Sequence, residues 1–138
     1  MTEAPPDAAT VNGVSSRRLL RGVPAALYAV AIFYGGVINV GPLPTPEGVP
    51  SDKLLHFVVF GGFEWVLELA LVDSTPGKRR VLAILLAVLV GILLELVQAT
   101  LPTRSAEALD ILADSLGALS AALLLFALAR VRRLASAR

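Results

Sequence analysis

His56 is the single histidine of the chain, and Asp52 and Lys53 precede it by about one helical turn. Glu95 and Gln98 form an i, i+3 pair, and Asp110 and Asp114 an i, i+4 pair, so each pair shares one face of a helix. Arg104 falls between them. These residues can do four kinds of work. As a binding site, Lys53 and Arg104 would hold phosphate or carboxylate while the acids hold a cation or an amine. As a catalyst, His56 or Glu95 would be the general base, with Arg104 or Lys53 clamping an anionic headgroup. As a metal site, His56, Glu95, Asp110 and Asp114 suit Zn, Mn or Mg by ligand type, although no H-E-x-x-H spacing is present. As purely structural groups, an Arg104–Asp110 pair and a His56–Glu95 bond would fix helix order. Binding needs the fewest conditions and ranks first. Whether any of these residues is catalytic stays open. There is no cysteine, hence no disulfide or thiolate metal site. No serine elbow or phosphate loop supports covalent or nucleotide chemistry, and no cofactor is expected.

The elements that must carry these groups are strongly apolar. Of 138 residues, 56% are hydrophobic and only 17% charged, and mean hydropathy is +0.76. Apolar runs over 22–40, 53–72, 81–101 and 109–129 are each long enough to cross a bilayer, which takes about 20 residues. Continuous apolarity of this length suits helices, which satisfy their own backbone bonds in lipid, and not the alternating strands of a barrel. The fold expected is therefore all-α, an integral membrane bundle of four transmembrane helices. A flexible cytoplasmic arm over 1–21 precedes the bundle over 22–129, and a basic cytoplasmic tail over 130–138 follows it. No chain is left over for a separate soluble domain.

Sidedness follows from Lys and Arg. Arg17, Arg18, Arg21, Lys78, Arg79, Arg80, Arg130, Arg132, Arg133 and Arg138 all fall on one side if there are four spans. Only Lys53 and Arg104 fall on the other. Both termini are expected in the cytoplasm, with the loops over 41–52 and 102–108 facing outward. Arg17 and Arg18 are read as a flank of the first span and not as a twin-arginine export signal, because removing that span would upset the charge pattern. The basic residues are split among three segments without interleaved aromatics, so no nucleic-acid partner is expected. Membrane lipids, an amphiphilic ligand and a second copy of the chain are the partners that remain.

Depth adds a constraint. At about 1.5 Å per residue, His56 lies roughly 5 Å and Glu95 roughly 9 Å below the outer interface, with Asp114 at a similar depth. Asp52, Lys53, Arg104 and Glu107 rim the opening. A charge in hydrocarbon costs about 3 kcal/mol on insertion scales, so these groups must face the bundle interior. Gly117 and Ala121, in register with Asp110 and Asp114, allow the close helix approach this requires. Glu64 and Glu68 form a second, deeper i, i+4 pair. Glu64 sits near the midplane, where an acid is a functional candidate, against the plainer reading of a hydrogen-bonded helix contact. Trp65 reads as mid-helix and is expected to pack against another helix.

The placed residues resemble those of a known family. Asp52-Lys53-Leu54-Leu55-His56-Phe57 resembles the D-K-x-x-H-F signature of VanZ-like proteins. Glu95 to Gln98 resembles their E-x-x-Q, Pro102-Thr103-Arg104 their P-x-R, and Asp110 to Gly117 their D-x-x-x-D/N-x-x-G. The resemblance covers roughly residues 25–128 and departs at Asp114, where the family often has Asn. It implies a compact four-helix protein of the bacterial inner membrane, and it adds a glycopeptide to the possible amphiphilic ligands. The namesake is associated with low-level resistance to teicoplanin, a glycopeptide acting outside the cell. The resemblance implies no particular reaction.

Overall fold

A computed structural model of the chain describes residues 8–38 and 51–137, with side chains from residue 18 onward. It contains four helices: α1 (Ala8–Val37), α2 (Ser51–Ala70), α3 (Pro76–Gln98) and α4 (Ala108–Ser136). The expected loop over 41–50 lies outside the described residues. Helix directions alternate along the chain. The end of α1 meets the end of α3 through Gly36 and Gln98, and the start of α2 meets the start of α4 through Lys53 and Asp110. One end of the bundle therefore carries Val37, Ser51, Gln98 and Ala108, and the other carries the α2–α3 turn and the basic segments.

α2 packs against all three other helices, most extensively against α4. The reason is local. Gly61 and Gly117 bring the two backbones together, and a Cβ on Gly117 would run into the carbonyl of Phe57. Around this contact the core is built from Phe60, Phe63 and Leu67 of α2, Ala83, Ala87 and Leu94 of α3, Ala118 of α4, and Ala25 and Ile32 of α1. Tyr28 tilts over Phe63 with ring centroids 5.5 Å apart. The outside is apolar instead of charged. Leu27, Val30, Leu85, Leu96, Leu123 and Leu124 all stand open. Six acidic or amide side chains are buried: Glu64, Glu68, Glu95, Gln98, Asp110 and Asp114. Large apolar residues outside and polar ones inside is the arrangement that hydrocarbon as a solvent selects.

Segments Arg18–Val37, Pro76–Gln98 and Ala108–Ser136 are long and apolar enough to cross a membrane. α2 has comparable length but carries Asp52, Lys53, Glu64 and Glu68. Both glutamates are turned into the bundle, so the face of α2 that meets lipid is as apolar as its neighbours.

Three sequence expectations change. α1 begins at Ala8 and α4 runs to Ser136, so much of the expected arm and tail is helical. Hydrophobicity determines where a helix crosses, but propensity determines where it ends, and neither flank holds Pro within the helical extension beyond the span. α3 closes at Gln98 and not at Leu101, because Thr100 and Leu101 turn off in i→i−3 bonds to Val97 and Gln98. That places Glu95 in the last turn, closer to the mouth. Trp65 is 55% exposed, since its neighbour Glu64 faces inward and one residue rotates a helix by about 100°.

Candidate functional site

The site lies at the end of the bundle away from the basic segments, where the first turns of α2 and α4 meet the last turn of α3. Lys53 projects from α2 toward α4, and its Nζ donates to Asp110 Oδ1 at 2.6 Å, Glu107 Oε2 at 2.7 Å and Asp52 Oδ2 at 2.8 Å. The three acids saturate this cation, which has three protons to give. The ammonium also holds the Asp52 carboxyl, on the water side of the span, below the usual carboxylate range.

One turn along α2, His56 reaches α4 at the next turn. Its Nδ1 lies 2.8 Å from Asp114 Oδ1, and its Nε2 lies 3.9 Å from Asp110 Oδ2. A carboxylate accepting from Nδ1–H fixes the neutral ring with an open lone pair on Nε2. The ring lies parallel to Phe60, with centroids 6.3 Å apart. Asp114 is fully buried, and its second oxygen, Oδ2, has no hydrogen-bond partner. It fits there because Gly91 on α3 has no side chain, and a Cβ at that position would stand 2.5 Å from Oδ2.

Glu95 completes the arrangement from α3. Its Oε2 accepts the backbone N–H of Glu107 at 2.7 Å, which ties the last turn of α3 to the residue before α4. Its Oε1 is buried and has no partner. One donor atom from each of His56, Glu95 and Asp110 lies within 4.8 Å of the others. Asp52, Glu107 and Asp110 form a second such group, and the Lys53 ammonium sits among them.

Not every residue singled out in the sequence joins this cluster. Arg104 donates through Nη2 to the carbonyl of Ile38, and Gln98 donates to the carbonyl of Gly36 at 2.9 Å. Both fasten the end of α1 to the α3–α4 side. The expected Arg104–Asp110 pair is therefore replaced by Lys53–Asp110, and the expected His56–Glu95 bond by His56–Asp114. Carbonyls left open at a helix end draw in donors, but they carry no residue signature, so sequence offered no clue to either bond. Glu107, noted only as a rim residue, is a partner of Lys53 and of Glu95.

Glu64 lies elsewhere. It is fully buried with both oxygens unpartnered, toward the other half of the bundle. Its neighbour Glu68 is paired with Arg80 at 3.1 Å and Arg79 at 3.3 Å, and Arg80 also stacks over the Phe126 ring at 5.2 Å. At that end Asp73 pairs with Arg21 at 2.6 Å and Arg18 at 3.2 Å. These basic residues were read for sidedness alone, and the acids that hold them were the missed part.

Lys53, His56, Glu95, Asp110 and Asp114, drawn from three helices, thus share one buried polar cluster. No curated protein and no solved structure matches the chain. The family model for VanZ/LLP1 matches residues 14–130, a stretch that covers α2, α3, most of α1 and α4, and every residue of the cluster. On that match, with a membrane-type helical bundle behind it, the chain belongs to the VanZ/LLP1 family.

Proposed function

We propose that this membrane protein binds the polar headgroup of an envelope amphiphile at the polar cluster between α2, α3 and α4, with that cluster facing outward from a bacterial inner membrane and both termini in the cytoplasm. One observation carries the reading. The cluster offers buried acceptors without donors: Glu95 Oε1 and Asp114 Oδ2 have no hydrogen-bond partner, and His56 Nε2 lies 3.9 Å from Asp110 Oδ2. A buried acceptor left unpaired costs about 1–3 kcal/mol, so the pocket favours a partner that brings protons or positive charge. The cations expected to clamp an anion are committed elsewhere, Lys53 to three carboxylates and Arg104 to a backbone carbonyl. The charge must come with the ligand, either as an ammonium on the headgroup or as a cation shared with it.

Native mass spectrometry of protein extracted with its own lipids tests this. The expected result is one retained amphiphile per chain in the wild type and loss of it in Glu95→Gln, with thermal stability preserved. Equal lipid retention by both proteins would overturn the assignment. Retention of an added glycopeptide in place of a lipid would identify the other amphiphile class. The His56–Asp114 pair, at 2.8 Å, favours a second reading, an acid–base catalyst acting on a lipid-linked precursor. Product release from such a precursor, abolished in His56→Gln, would select it over simple binding.

A further inference from the structure

The geometry points to a divalent transition-metal ion held by His56 Nε2, Glu95 Oε1 and Asp110 Oδ2, with a fourth position open toward the mouth of the pocket. This deepens the reading of the pocket as a headgroup site, because the ion would be the positive charge that the acceptors require.

Three observations support the site. First, donor atoms from these three residues lie within 4.8 Å of one another, with His56 Nε2 and Asp110 Oδ2 at 3.9 Å. Bonds of about 2.0–2.2 Å to one tetrahedral ion place donors about 3.5 Å apart, so small side-chain rotations close the set.

Second, each proposed ligand is oriented by a separate partner through its other atom. Asp114 holds His56 by Nδ1, the Glu107 backbone holds Glu95 by Oε2, and Lys53 holds Asp110 by Oδ1. A carboxylate behind an imidazole fixes the tautomer with its lone pair toward the metal and raises its basicity, and outer partners of this kind are a regular part of metal sites. Glu95, 3% exposed, leaves its Oε1 without a protein partner.

Third, the ion would offset buried charge. Lys53 and a divalent ion supply three positive charges against the three buried carboxylates Glu95, Asp110 and Asp114, while Asp52 and Glu107, the other partners of Lys53, are about half exposed to water. Without the ion, Glu95 Oε1 and Asp114 Oδ2 stay buried with no donor.

The other carboxylate group, Asp52 with Glu107 and Asp110, is not a second metal site, because Lys53 Nζ already bonds all three within 2.8 Å. An imidazole with two carboxylates favours Zn2+ or Mn2+ over Mg2+, which prefers oxygen ligands throughout. Three protein ligands with a free position is the pattern of zinc sites that engage a further molecule. A phosphate or carboxylate oxygen of the headgroup would take that position.

The test is a titration of chelator-treated, full-length protein in nanodiscs of neutral lipid with Zn2+, and separately with Co2+, whose visible absorption reports coordination by nitrogen and oxygen donors. The expected result is one equivalent per chain with four-coordinate Co2+ bands. Affinity should fall at least tenfold in Glu95→Gln and in His56→Gln. It should fall about 10–100-fold in Asp114→Asn, which removes an outer partner, and stay unchanged in Asp73→Asn, at the opposite end of the bundle. Thermal melts of each variant without metal separate lost binding from lost folding. If a variant melts early, Co2+ spectra of the wild type alone decide, since an imidazole ligand alters the bands.

Absence of saturable binding, or binding that survives both Glu95→Gln and His56→Gln, overturns the metal site. Retention of amphiphile is measured in parallel with and without chelator. If amphiphile stays bound to metal-free protein and Zn2+ does not bind, the headgroup pocket stands and the ion falls. If Zn2+ binds and no amphiphile is retained under either condition, the ion stands and the headgroup reading falls.

Discussion

Lys53 is shared by three carboxylates that stand at different depths, with side-chain exposures of 9% for Asp110, 45% for Glu107 and 54% for Asp52. Removing the shared cation leaves Asp110 buried without its donor, at about 1–3 kcal/mol, whereas trimming an exposed partner costs about 0–1 kcal/mol. Lys53→Ala should therefore lower the thermal midpoint of the detergent-solubilised protein clearly, and Glu107→Ala only slightly. Equal shifts in the two would show that the pair with Asp110 is not the one that matters. Glu64 makes the opposite case. Its carboxyl is buried and has no partner, so Glu64→Gln loses no bond and should leave the melting temperature unchanged or raised. Glu68→Gln should lower it, because Arg79 and Arg80 are left facing a neutral group. At this scale the sequence was informative about residue types and weak about pairing. Spacing put Asp110 and Asp114 on one face of a helix. Which cation met which acid depended on the offset between α2 and α4, and no spacing within a single helix encodes that offset.

Helix α2 takes its place through glycine. Gly117 and Gly61 let its backbone lie against α4, and the carbonyl of Phe57 fills the space where a Cβ on Gly117 would stand. Backbone cannot swing aside as a side chain can, so Gly117→Ala should reach the upper part of the 1–3 kcal/mol range for overpacking. Gly22→Ala, with nothing within 4 Å of its Cβ position, should be neutral or stabilising by up to about 1 kcal/mol through helix propensity. Thermal melts of the two variants make the comparison, and a harmless Gly117→Ala would show that α2 and α4 do not approach so closely. The four elements themselves were legible because apolar length is a strong signal. Their ends were not, since α4 continues past Ala129 to Ser136 on helix-forming residues that have left hydrocarbon behind. Trp65 departs from the sequence expectation because helix phase puts Glu64 beside it inside and the ring outside.

Taken whole, the bundle carries two polar ends of opposite character, acids and His56 at one and arginines with Asp73 and Glu68 at the other. Ten of twelve basic residues share one side under a four-span topology. In this cysteine-free chain, Ser105→Cys should react with an impermeant maleimide on intact cells, and Thr75→Cys only after permeabilisation. The reverse pattern would invert the pocket. The inward-turned charges of α2 also bear on biogenesis. Its acids and His56 find their counterparts on segments synthesised later: Arg79 and Arg80 on α3, Asp110 and Asp114 on α4. A nascent chain that has emerged only as far as α2 holds a segment poorly suited to lateral release into lipid, and α2 gains a stable seat only when the last helix arrives. Chains truncated ahead of Ala108 should accordingly be cleared by membrane proteolysis while full-length ones persist, which makes the final span the checkpoint for the whole assembly.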